Sequence, residues 1–322
     1  MIGIVTRTYP EWVEEFEKAC RFEHLPFVYV DIDRNDWVEQ LNDVRLVLWR
    51  IHLGDPIGLM EAKIKIPIME KMGIFCYPSQ FMADLYKNKI LQTFLMRKQN
   101  IPIPSTFISF SEAEALERGS MMSWPVVAKT SGGASATGVI RLNKLKEMKS
   151  FVNRQFGKRP TWLTLIQKIL RRLINISILG SKDFPGYVYF QEYIESDGDW
   201  RITTMGENLV SVFKRYNRPG DFRASGSGLW KKITVSEIPK AACDLALVIS
   251  TRNGFTSMAY DFIQQGQKWL LLEFSYSFLL NPIYTNTLFE KNSDGYRAID
   301  PIPIGTLHLR ACLSFMNNRK GN

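Results

Sequence analysis

Two acidic side chains fall inside apolar stretches that alternate like antiparallel strands. Asp261 lies within residues 257–263 and Glu273 within residues 268–274, each flanked by apolar residues. An ionised carboxylate inside a strand is costly unless it is paired or bound to a cation. If the two strands are neighbours, their carboxylates can share a hard cation such as Mg²⁺, which favours one or two carboxylates plus phosphate oxygens. The alternative is that each carboxylate pairs with a nearby Arg or Lys.

A lysine directly before a run of small residues forms a second candidate site. Residues 125–129 predict a buried strand that ends at Lys129, and the sequence TSGGASATG follows at 130–138. Small residues let backbone N–H groups approach a polyphosphate without a side-chain clash, and the lysine adds positive charge. The run is not the GxxxxGK[ST] nucleotide loop. Taken alone, it is more typical of a Gly/Ser-rich hairpin, because such hairpins are common.

Six further polar segments lie before and between these two sites along the sequence. They are NK at 88–89, IPIPST at 101–106, FQEYI at 190–194, DWR at 199–201, KR at 214–215 and GDFRASG at 220–226. In order and spacing, residues 80–280 resemble the ATP-grasp superfamily, most closely its RimK-like carboxylate–amine ligase branch. The first 80 residues look like the α/β domain that precedes the ATP-grasp fold in that superfamily.

The resemblance implies a nucleotide site and a metal site. Lys89 and Lys129 would contact the phosphates of ATP, and residues 131–138 would fold over them as a lid. Adenine would be held at residues 192–194 and the ribose by Asp199. The full nucleotide-binding set that it implies is Lys89, Lys129, Ser131, Gly132, Gly133, Gln191, Glu192, Tyr193, Ile194, Asp199 and Ser225. Mg²⁺ or Mn²⁺ would bind at Asp261, Glu273 and Ser275.

The resemblance also implies a catalytic set of cations, Arg223, Arg201 and Lys214. Arg201 and Arg223 would clamp the acyl carboxylate and the acylphosphate. The competing interpretation is that these two arginines are internal ion-pair partners of Asp221 or Glu195.

The sequence departs from the family pattern at one metal ligand. Where the family usually has Glu-x-Asn, this chain has Glu273, Phe274 and Ser275. A Ser hydroxyl is still a neutral oxygen donor, but it is shorter and less polar than an amide carbonyl. The second metal position would therefore be weaker, completed by water, or served by Asn281.

The implied reaction is ATP-dependent amide formation. A carboxylate attacks the γ-phosphorus of ATP, and an amine then displaces phosphate from the acylphosphate. Such phosphoryl transfer needs in-line positioning and cations rather than a protein nucleophile, which suits a site rich in Lys, Arg, Asp and Glu. The carboxylate would belong to a carbohydrate or a peptide, and the amine to an amino acid or another small molecule. The alternatives are an ATP-binding sensor or recruitment module without ligase activity, and an ATP-grasp kinase.

The elements that must position these residues change character along the chain. Strands at residues 3–6, 27–30, 45–49 and 74–77 alternate with helices at 11–22 and 57–72, which predicts a mostly parallel α/β layer. In such a sheet Arg7 and Arg50, which follow two strands, either face a ligand crevice or are surface residues. Further helices are predicted at 84–100, at 144–157, at 238–251 and from Ser111 onward, where Glu114 stands at capping-box spacing. Extended segments are predicted at 106–109, 125–129, 188–194, 200–204, 208–213, 257–263 and 268–274.

The fold class is therefore α/β and α+β, and the resemblance makes it an ATP-grasp fold with three parts. Residues 1–80 form the N-terminal α/β domain, residues 81–195 the central and lid subdomain, and residues 196–322 the C-terminal antiparallel-sheet subdomain with the metal site. Residues 159–186 are an insert relative to the family pattern.

The formal charge of +9 is concentrated around that insert. Residues 141–182 hold 11 basic residues against Glu147, so the remainder of the chain is close to neutral. Within the insert, apolar residues at 166, 169, 170, 173 and 174 predict an amphipathic helix with a basic face. Such a helix docks on the protein's own core, or covers an anionic acceptor, an acidic partner or a membrane surface. Nucleic acid is disfavoured as a partner because aromatic side chains are sparse on that face, with only Trp162 close by. An oligomer is compatible with the sequence.

Other classes of site find no support in the sequence. The four cysteines are widely spaced, which favours free thiols, and the three histidines are isolated. The N-terminus lacks a signal-peptide pattern, and no apolar run approaches the ~20 residues that span a bilayer. The sequence therefore predicts a cytoplasmic enzyme, with peripheral contact to the inner membrane face as a variant of that location.

Overall fold

The structure is a computed structural model that describes residues 1–51, 55–130, 138–157, 186–278 and 288–318. The chain divides into two compact units. The larger unit combines Met1–Gln92 with Ser196–Asn322, and the smaller unit is Thr93–Glu195.

The larger unit begins with a four-stranded parallel sheet. Its strands are β1 (Ile2–Val5), β2 (Phe27–Val30), β3 (Leu46–Leu48) and β4 (Phe75–Tyr77), in the order β2-β1-β3-β4. Helix α1 (Pro10–Phe22) connects β1 to β2, and α2 (Pro56–Lys71) connects β3 to β4. The predicted alternation of strand and helix is thus present, with ends that differ from the prediction by no more than one residue. Asp55 caps α2, since its side chain accepts a hydrogen bond from the Gly58 N–H at 2.9 Å.

The single helix predicted over residues 84–100 is wrong. The chain forms two helices there, α3 (Gln80–Leu85) and α4 (Lys89–Lys98). Between them Lys87 has φ +57°, a left-handed conformation that cannot continue a right-handed helix. The Asn88 side chain then accepts from the Leu91 N–H at 3.0 Å and starts the second helix. Lys89 therefore lies in the first turn of a helix and not in the middle of one.

The smaller unit contains an antiparallel sheet covered by two helices. Its strands are β5 (Thr106–Ser109), β6 (Val126–Lys129), β7 (Val139–Leu142) and β8 (Val188–Glu192), in the order β5-β8-β6-β7. Helices α5 (Glu112–Ser120) and α6 (Leu145–Gln155) pack on each other. Ala128, Phe151 and Phe190 belong to its buried apolar core.

The predicted cap of α5 is only half formed. The Ser111 side chain accepts from the Glu114 N–H at 3.3 Å, as a capping box requires. The Glu114 carboxylate, however, bonds the Ser109 hydroxyl at 2.5 Å, and that hydroxyl accepts from the Ser111 N–H at 2.9 Å. Ser109 therefore takes the place that the glutamate was predicted to fill.

The second sheet of the larger unit carries most of the candidate site. Its strands are β9 (Gly198–Met205), β10 (Leu209–Tyr216), β11 (Trp230–Lys232), β12 (Ser257–Gln265), β13 (Lys268–Ser275), β14 (Leu288–Asn292) and β15 (Gly295–Ala298). All pairings are antiparallel, in the order β13-β12-β9-β10-β14-β15 with β11 on β10. Two helices accompany it, α7 (Lys240–Asn253) and α8 (Ile304–Asn318).

One face of this sheet packs on α7. The Ser250 hydroxyl of α7 lies 2.7 Å from the Thr204 hydroxyl and 2.7 Å from the Tyr260 hydroxyl. Because side chains alternate along a strand, the neighbours of Thr204 and Tyr260 in sequence belong to the opposite face. That opposite face holds the predicted metal carboxylates.

Helix α8 packs against α1 and encloses a buried histidine. His308 has ring neighbours at centroid distances of 5.2 Å to Trp12, 5.3 Å to Phe278 and 4.9 Å to Tyr77. Neither of its ring nitrogens has a hydrogen-bond partner among the described residues. His308 is therefore a core residue, and His52 lies outside the described residues.

Two further observations concern the cysteines and the membrane-spanning segments considered in the sequence analysis. Cys20, Cys76, Cys243 and Cys312 are all free and buried. Within the described ranges, no helix is both long and apolar enough to cross a bilayer.

Candidate functional site

Three of the predicted site residues lie in one row across the second sheet. The strand register pairs Arg201 of β9 with Asp261 of β12, and Asp261 with Glu273 of β13. Residues that are direct register partners have their side chains on the same face of a sheet. The condition stated for a shared cation, that the two acidic strands are neighbours, is thus met, and their carboxylates share a face.

Asp261 is buried against two arginines. Its Oδ2 accepts from Arg201 Nη2 at 3.0 Å and lies 2.8 Å from Arg215 Nη2, while its Oδ1 lies 2.5 Å from Arg201 Nε. Burial raises the pKa of Asp261, but the charges of Arg201 and Arg215 outweigh that effect and hold its pKa below the usual value. The carboxylate is ionised and paired, which is the alternative stated for an acidic residue inside an apolar strand.

Arg215 also binds Asp199, so the two pairs join into one network. Arg215 Nε and Nη2 donate to the two carboxylate oxygens of Asp199 at 2.6 and 2.7 Å, a bidentate contact between register partners of β9 and β10. Burial raises the pKa of Asp199, and the charge of Arg215 opposes that rise only in part. Burial lowers the pKa of Arg215, but the carboxylates of Asp261 and Asp199 more than offset it and raise its pKa above the usual value.

The pairing of Asp199 with Arg215 depends on a close approach of their strands. A Cβ atom on Gly198 would lie 1.8 Å from the backbone oxygen of Arg215. Only glycine therefore fits beside Asp199 at the present separation of β9 and β10.

Glu273 has a different environment from Asp261. Its side chain is 42% exposed, and its Oε2 lies 3.5 Å from the Nζ atom of Lys89 in the first turn of α4. One predicted metal ligand and one predicted phosphate ligand are thus neighbours within the larger unit.

Ser275, the departure from the family pattern, uses its hydroxyl within its own turn. The Ser275 hydroxyl donates to the Ser277 carbonyl and accepts from the Ser277 N–H, both at 3.0 Å. Ser277 in turn receives a hydrogen bond from the buried guanidinium of Arg50. Asn281, the other candidate donor, lies outside the described residues.

The remaining predicted cations do not join the network around Asp261. Lys214 lies on the opposite face of β10, 2.7 Å from Asp197 and against the Trp200 ring. Arg223 bonds the carboxylate of Asp221 at 2.6–3.0 Å, the internal pairing that was named as its alternative. Arg223 and Asp221 belong to the segment between β10 and β11, as does Ser225, whose carbonyl accepts from Arg218.

In the smaller unit, Lys129 is a buried residue at the end of β6. Its Nζ atom lies 5.6 Å from the centre of the Tyr189 ring. The Thr130 N–H donates to the Gly138 carbonyl at 2.8 Å, so these two residues fix the ends of the small-residue loop. Ser131, Gly132 and Gly133 lie between those ends, outside the described residues.

The predicted adenine segment follows β8 of the smaller unit. The buried Gln191 side chain donates to the Thr106 hydroxyl at 3.0 Å, and Glu192 exchanges hydrogen bonds with the backbone of Ser105. Tyr193 lies under the guanidinium of Arg141, 4.3 Å from the ring centre. Ile194 is half-buried beyond the strand end.

Two residues of these clusters are absent from the set predicted from sequence. Arg215 follows Lys214 along β10, so its side chain points to the opposite face of the sheet. The register with β9 shows that this is the face of Asp199. Arg141 lies on β7 and Tyr193 directly follows β8. Both strands pair with β6, which brings the two residues together. No local pattern around Arg141 signals that contact.

The donor set on the sheet face fits a divalent cation. Asp261 and Glu273 supply two carboxylates from register partners, the number that Mg²⁺ favours when phosphate oxygens complete its shell. Asp261 Oδ1 is buried and has no hydrogen-bond partner of good geometry among the described residues, although Arg201 Nε is close. Within the same residues, no group of three or more His, Cys, Asp or Glu side chains is arranged as a metal site.

At the N-terminal sheet, Arg7 and Arg50 behave differently. Arg7 forms ion pairs with Asp33, Asp55 and Glu61 at 2.6–3.0 Å. Arg50 is 1% exposed, so it is not a surface residue, and burial lowers its pKa. It donates to the carbonyls of Ile51 and Phe278 and thereby ties β3 to the segment after β13.

Comparisons with known proteins point to one family. A family model described as the RimK-like ATP-grasp domain matches residues 86–288. A Haemophilus influenzae protein described as "probable alpha-L-glutamate ligase" is 28% identical over 210 residues, 63% of this chain and 59% of that relative. The chain therefore covers less than two thirds of that relative's length.

A second relative and a solved structure extend the comparison. The alpha-aminoadipate–LysW ligase LysX of Saccharolobus solfataricus is 28% identical over 123 residues, 37% of this chain and 43% of that protein. The crystal structure of the macrocyclase MdnC bound with precursor peptide MdnA, from Microcystis aeruginosa, superposes with a TM-score of 0.60 at 15% identity. That superposition covers 98% of this chain and 100% of MdnC, and it shows a shared fold.

Proposed function

The chain belongs to the RimK-like ATP-grasp family, and from that membership and its site we propose that it is an ATP-dependent carboxylate–amine ligase. Ligases of this family use ATP and a divalent metal ion. The observation that carries the proposal is the row of Asp261 and Glu273 on one sheet face with Lys89 beside Glu273. Two carboxylates and a lysine on one surface suit a metal-bound polyphosphate.

We assign nucleotide binding to residues of both units, and each assignment rests on the contacts that the residue makes within its own unit. In the smaller unit, Lys129 and the loop that begins at Thr130 would hold the phosphates, and residues 191–194 the adenine. In the larger unit, Lys89 would contact the phosphates and Asp199 the ribose. Lysines and backbone N–H groups suit phosphate because they carry positive charge or partial charge without any acceptor atom.

Asp261 and Glu273 would hold Mg²⁺ or Mn²⁺, with Ser275 as a neutral donor. A bound metal ion would neutralise charge on the phosphate oxygens. Arg201 and Arg223 would hold the anionic groups of the acyl substrate during the two steps. In the first step, a carboxylate oxygen attacks the γ-phosphorus and ADP leaves. In the second, the amine nitrogen attacks the acyl carbon, phosphate leaves, and the nitrogen loses a proton.

The proposed substrate class is supported by what the relatives' names say of those proteins. Their names include a glutamate ligase and a ligase that joins alpha-aminoadipate to LysW, and MdnC is bound to a precursor peptide. We place this chain among ligases that join an amino acid to a carboxylate on a peptide or protein, with a carbohydrate carboxylate as the other acceptor class. Almost all of residues 159–186 lie outside the described residues, and we propose from their sequence that their basic side chains would contact an anionic acceptor, an acidic partner or a membrane.

A location in the cytoplasm suits this activity. Four buried free thiols are typical of a reducing compartment, where ATP is also supplied.

The test is ADP release with Mg²⁺ across a panel of amino acids and peptide carboxylates, with hydroxylamine present as a trap. We expect ADP together with a hydroxamate, because hydroxylamine intercepts an acylphosphate. ADP without a hydroxamate would indicate a kinase, and nucleotide binding without ADP release would indicate a sensor. Lys129→Ala should abolish nucleotide binding, whereas the exposed Lys146→Ala is the matched control in the same unit and should retain it.

A further inference from the structure

Five charged side chains on one face of the second sheet form a charge ladder from β10 to β13. They are Arg215, Asp199, Arg201, Asp261 and Glu273. The first four are buried and alternate in sign, and the more exposed Glu273 adds a second negative charge beside Asp261. The four innermost charges are two arginines and two aspartates, and their side chains are no more than 16% exposed. Their formal charges cancel.

This balance bears on how Asp261 can bind a cation. A buried carboxylate that already has two guanidinium partners offers little net attraction to a bare divalent ion. One partner must yield, or the ion must arrive with anionic phosphate that satisfies the arginines and the metal together. The orientation of the partners therefore matters as much as the presence of the carboxylate.

Arg201 and Arg215 contact Asp261 in different ways. Arg201 is the direct register partner of Asp261, and both of the contacts recorded for its guanidinium go to that carboxylate. Arg215 reaches Asp261 across β9, and its Nε and Nη2 are first anchored to both oxygens of Asp199. Within the described part of the chain, Arg215 is the one side chain recorded in contact with both aspartates.

We propose that Arg215 is a positioning residue that joins the ribose-binding carboxylate of Asp199 to the metal-binding carboxylate of Asp261. The planar guanidinium fork fixes the plane of Asp199 and directs Nη2 at Asp261 Oδ2. Asp261 Oδ1 lies 2.5 Å from Arg201 Nε, so Arg201 is the partner that must yield for Oδ1 to meet a cation. A change at Asp199 is thereby transmitted to Asp261 without direct contact between them. This inference rests on the proposed function, because it takes the metal and ribose roles from there.

The experiment measures Mn²⁺ binding by electron paramagnetic resonance in the presence of a non-hydrolysable ATP analogue. Arg215→Lys keeps the charge but cannot bridge two carboxylates as a fork. We expect Mn²⁺ affinity of the nucleotide complex to fall by tenfold or more, within the 10–100-fold range typical of residues that orient metal ligands. The matched control is Arg297→Lys, at an exposed register pair with Glu290 on the same sheet, and it should change nothing.

Melting temperatures separate this role from a merely structural one. If Arg215 only stabilises the fold, Arg215→Lys will lower the melting temperature while Mn²⁺ affinity stays within twofold of wild type, and the inference is overturned. If wild type itself binds no Mn²⁺ with the analogue, the proposed function fails first and the inference fails with it.

A second variant covers the case in which Arg215→Lys does not fold. Asp199→Asn keeps the volume and removes the anchor of Arg215. Its Mn²⁺ affinity is measured with inorganic tripolyphosphate, which has no ribose, so that any ribose contact of Asp199 is not involved. We expect a severalfold loss of affinity, and an unchanged affinity in a folded Asp199→Asn protein overturns the inference.

Discussion

Lys89 Nζ lies 3.5 Å from Glu273 Oε2, which places a cation of the first helical turn of α4 beside the outer carboxylate of the charge ladder. A cation at the N-terminus of a helix is opposed by the helix dipole. The contact with a 42% exposed Glu273 is also weakly stabilising. The proposed contact of Lys89 with phosphate would give a lysine at this position a functional reason.

Replacing Lys89 should therefore weaken nucleotide binding while leaving the stability of the fold nearly unchanged. Lys89→Met should weaken ADP binding by about tenfold or more, the equivalent of losing one charge-assisted hydrogen bond. It should change the free energy of unfolding by less than about 1 kcal/mol. Isothermal titration with ADP and urea denaturation measure the two effects. Lys98→Met, at the exposed C-terminal end of the same helix, is the control that should bind ADP normally.

The two predicted metal carboxylates should differ in what they contribute to stability. Asp261→Asn leaves two buried guanidinium groups facing a single remaining carboxylate, and should lower the free energy of unfolding by about 3–5 kcal/mol. Glu273→Gln breaks an exposed contact and should cost less than about 1 kcal/mol. Both should abolish ADP release. Urea denaturation of the two variants measures the difference, and equal losses would contradict the burial contrast on which it rests.

Acid lability should arise in part from His308. Burial, with a smaller contribution from the charge of Arg50, lowers the pKa of His308 from 6.5 to about 3. In the unfolded chain the imidazole protonates as pH falls through 6.5, whereas in the folded chain it stays neutral until about pH 3. Folding stability is therefore complete above pH 6.5 and declines below it.

This effect predicts a loss of about 2 kcal/mol between pH 7.5 and pH 5, from a limiting slope of about 1.4 kcal/mol per pH unit. His308→Phe retains an aromatic ring among Trp12, Tyr77 and Phe278 and removes the titration. Urea denaturation across this pH range should show a flatter profile for that variant. The exposed His24→Asn should keep the slope of wild type, and a slope that persists in His308→Phe would disprove the assignment.

The residue at position 275 can be returned to the family pattern. Ser275 already closes a turn onto Ser277, and Asn supports the same kind of turn through its side-chain oxygen. Ser275→Asn should therefore fold, and its longer amide oxygen should lower the Mg²⁺ concentration for half-maximal ADP release by severalfold. Ser277→Asn is the matched control, and an equal gain in both variants would exclude a specific role for position 275.

Features that depend on residues close in the sequence can be predicted from it, whereas features that depend on distant residues cannot. Alternation predicts the two strands that hold Asp261 and Glu273, because a period of two is a local signal. That these strands pair with each other is known only from the register. The break at Lys87 is not visible, since residues 84–100 are apolar enough to suggest one helix while a left-handed residue interrupts it. Helix α8 is buried on nearly every side over residues 304–312, where Arg310 alone is exposed, so no polar stripe reveals its helical period.

The role of Arg215 escapes sequence reasoning for a different reason. Lys214 and Arg215 look equivalent as neighbouring cations, and only the register of β9 with β10 assigns one to each face. Ion-pair geometry is fixed by that non-local pairing. The same holds for Arg141, which reaches Tyr193 through strands separated by about fifty residues of sequence.

The tight approach at Gly198 has a consequence for any survey of tolerated substitutions. A side chain at 198 would collide with the Arg215 backbone and force β9 and β10 to separate or slide. In a saturation scan scored by growth or turnover, position 198 should therefore be as intolerant as the charged residues beside it. A residue with no functional group would then show the mutational profile of an active-site residue.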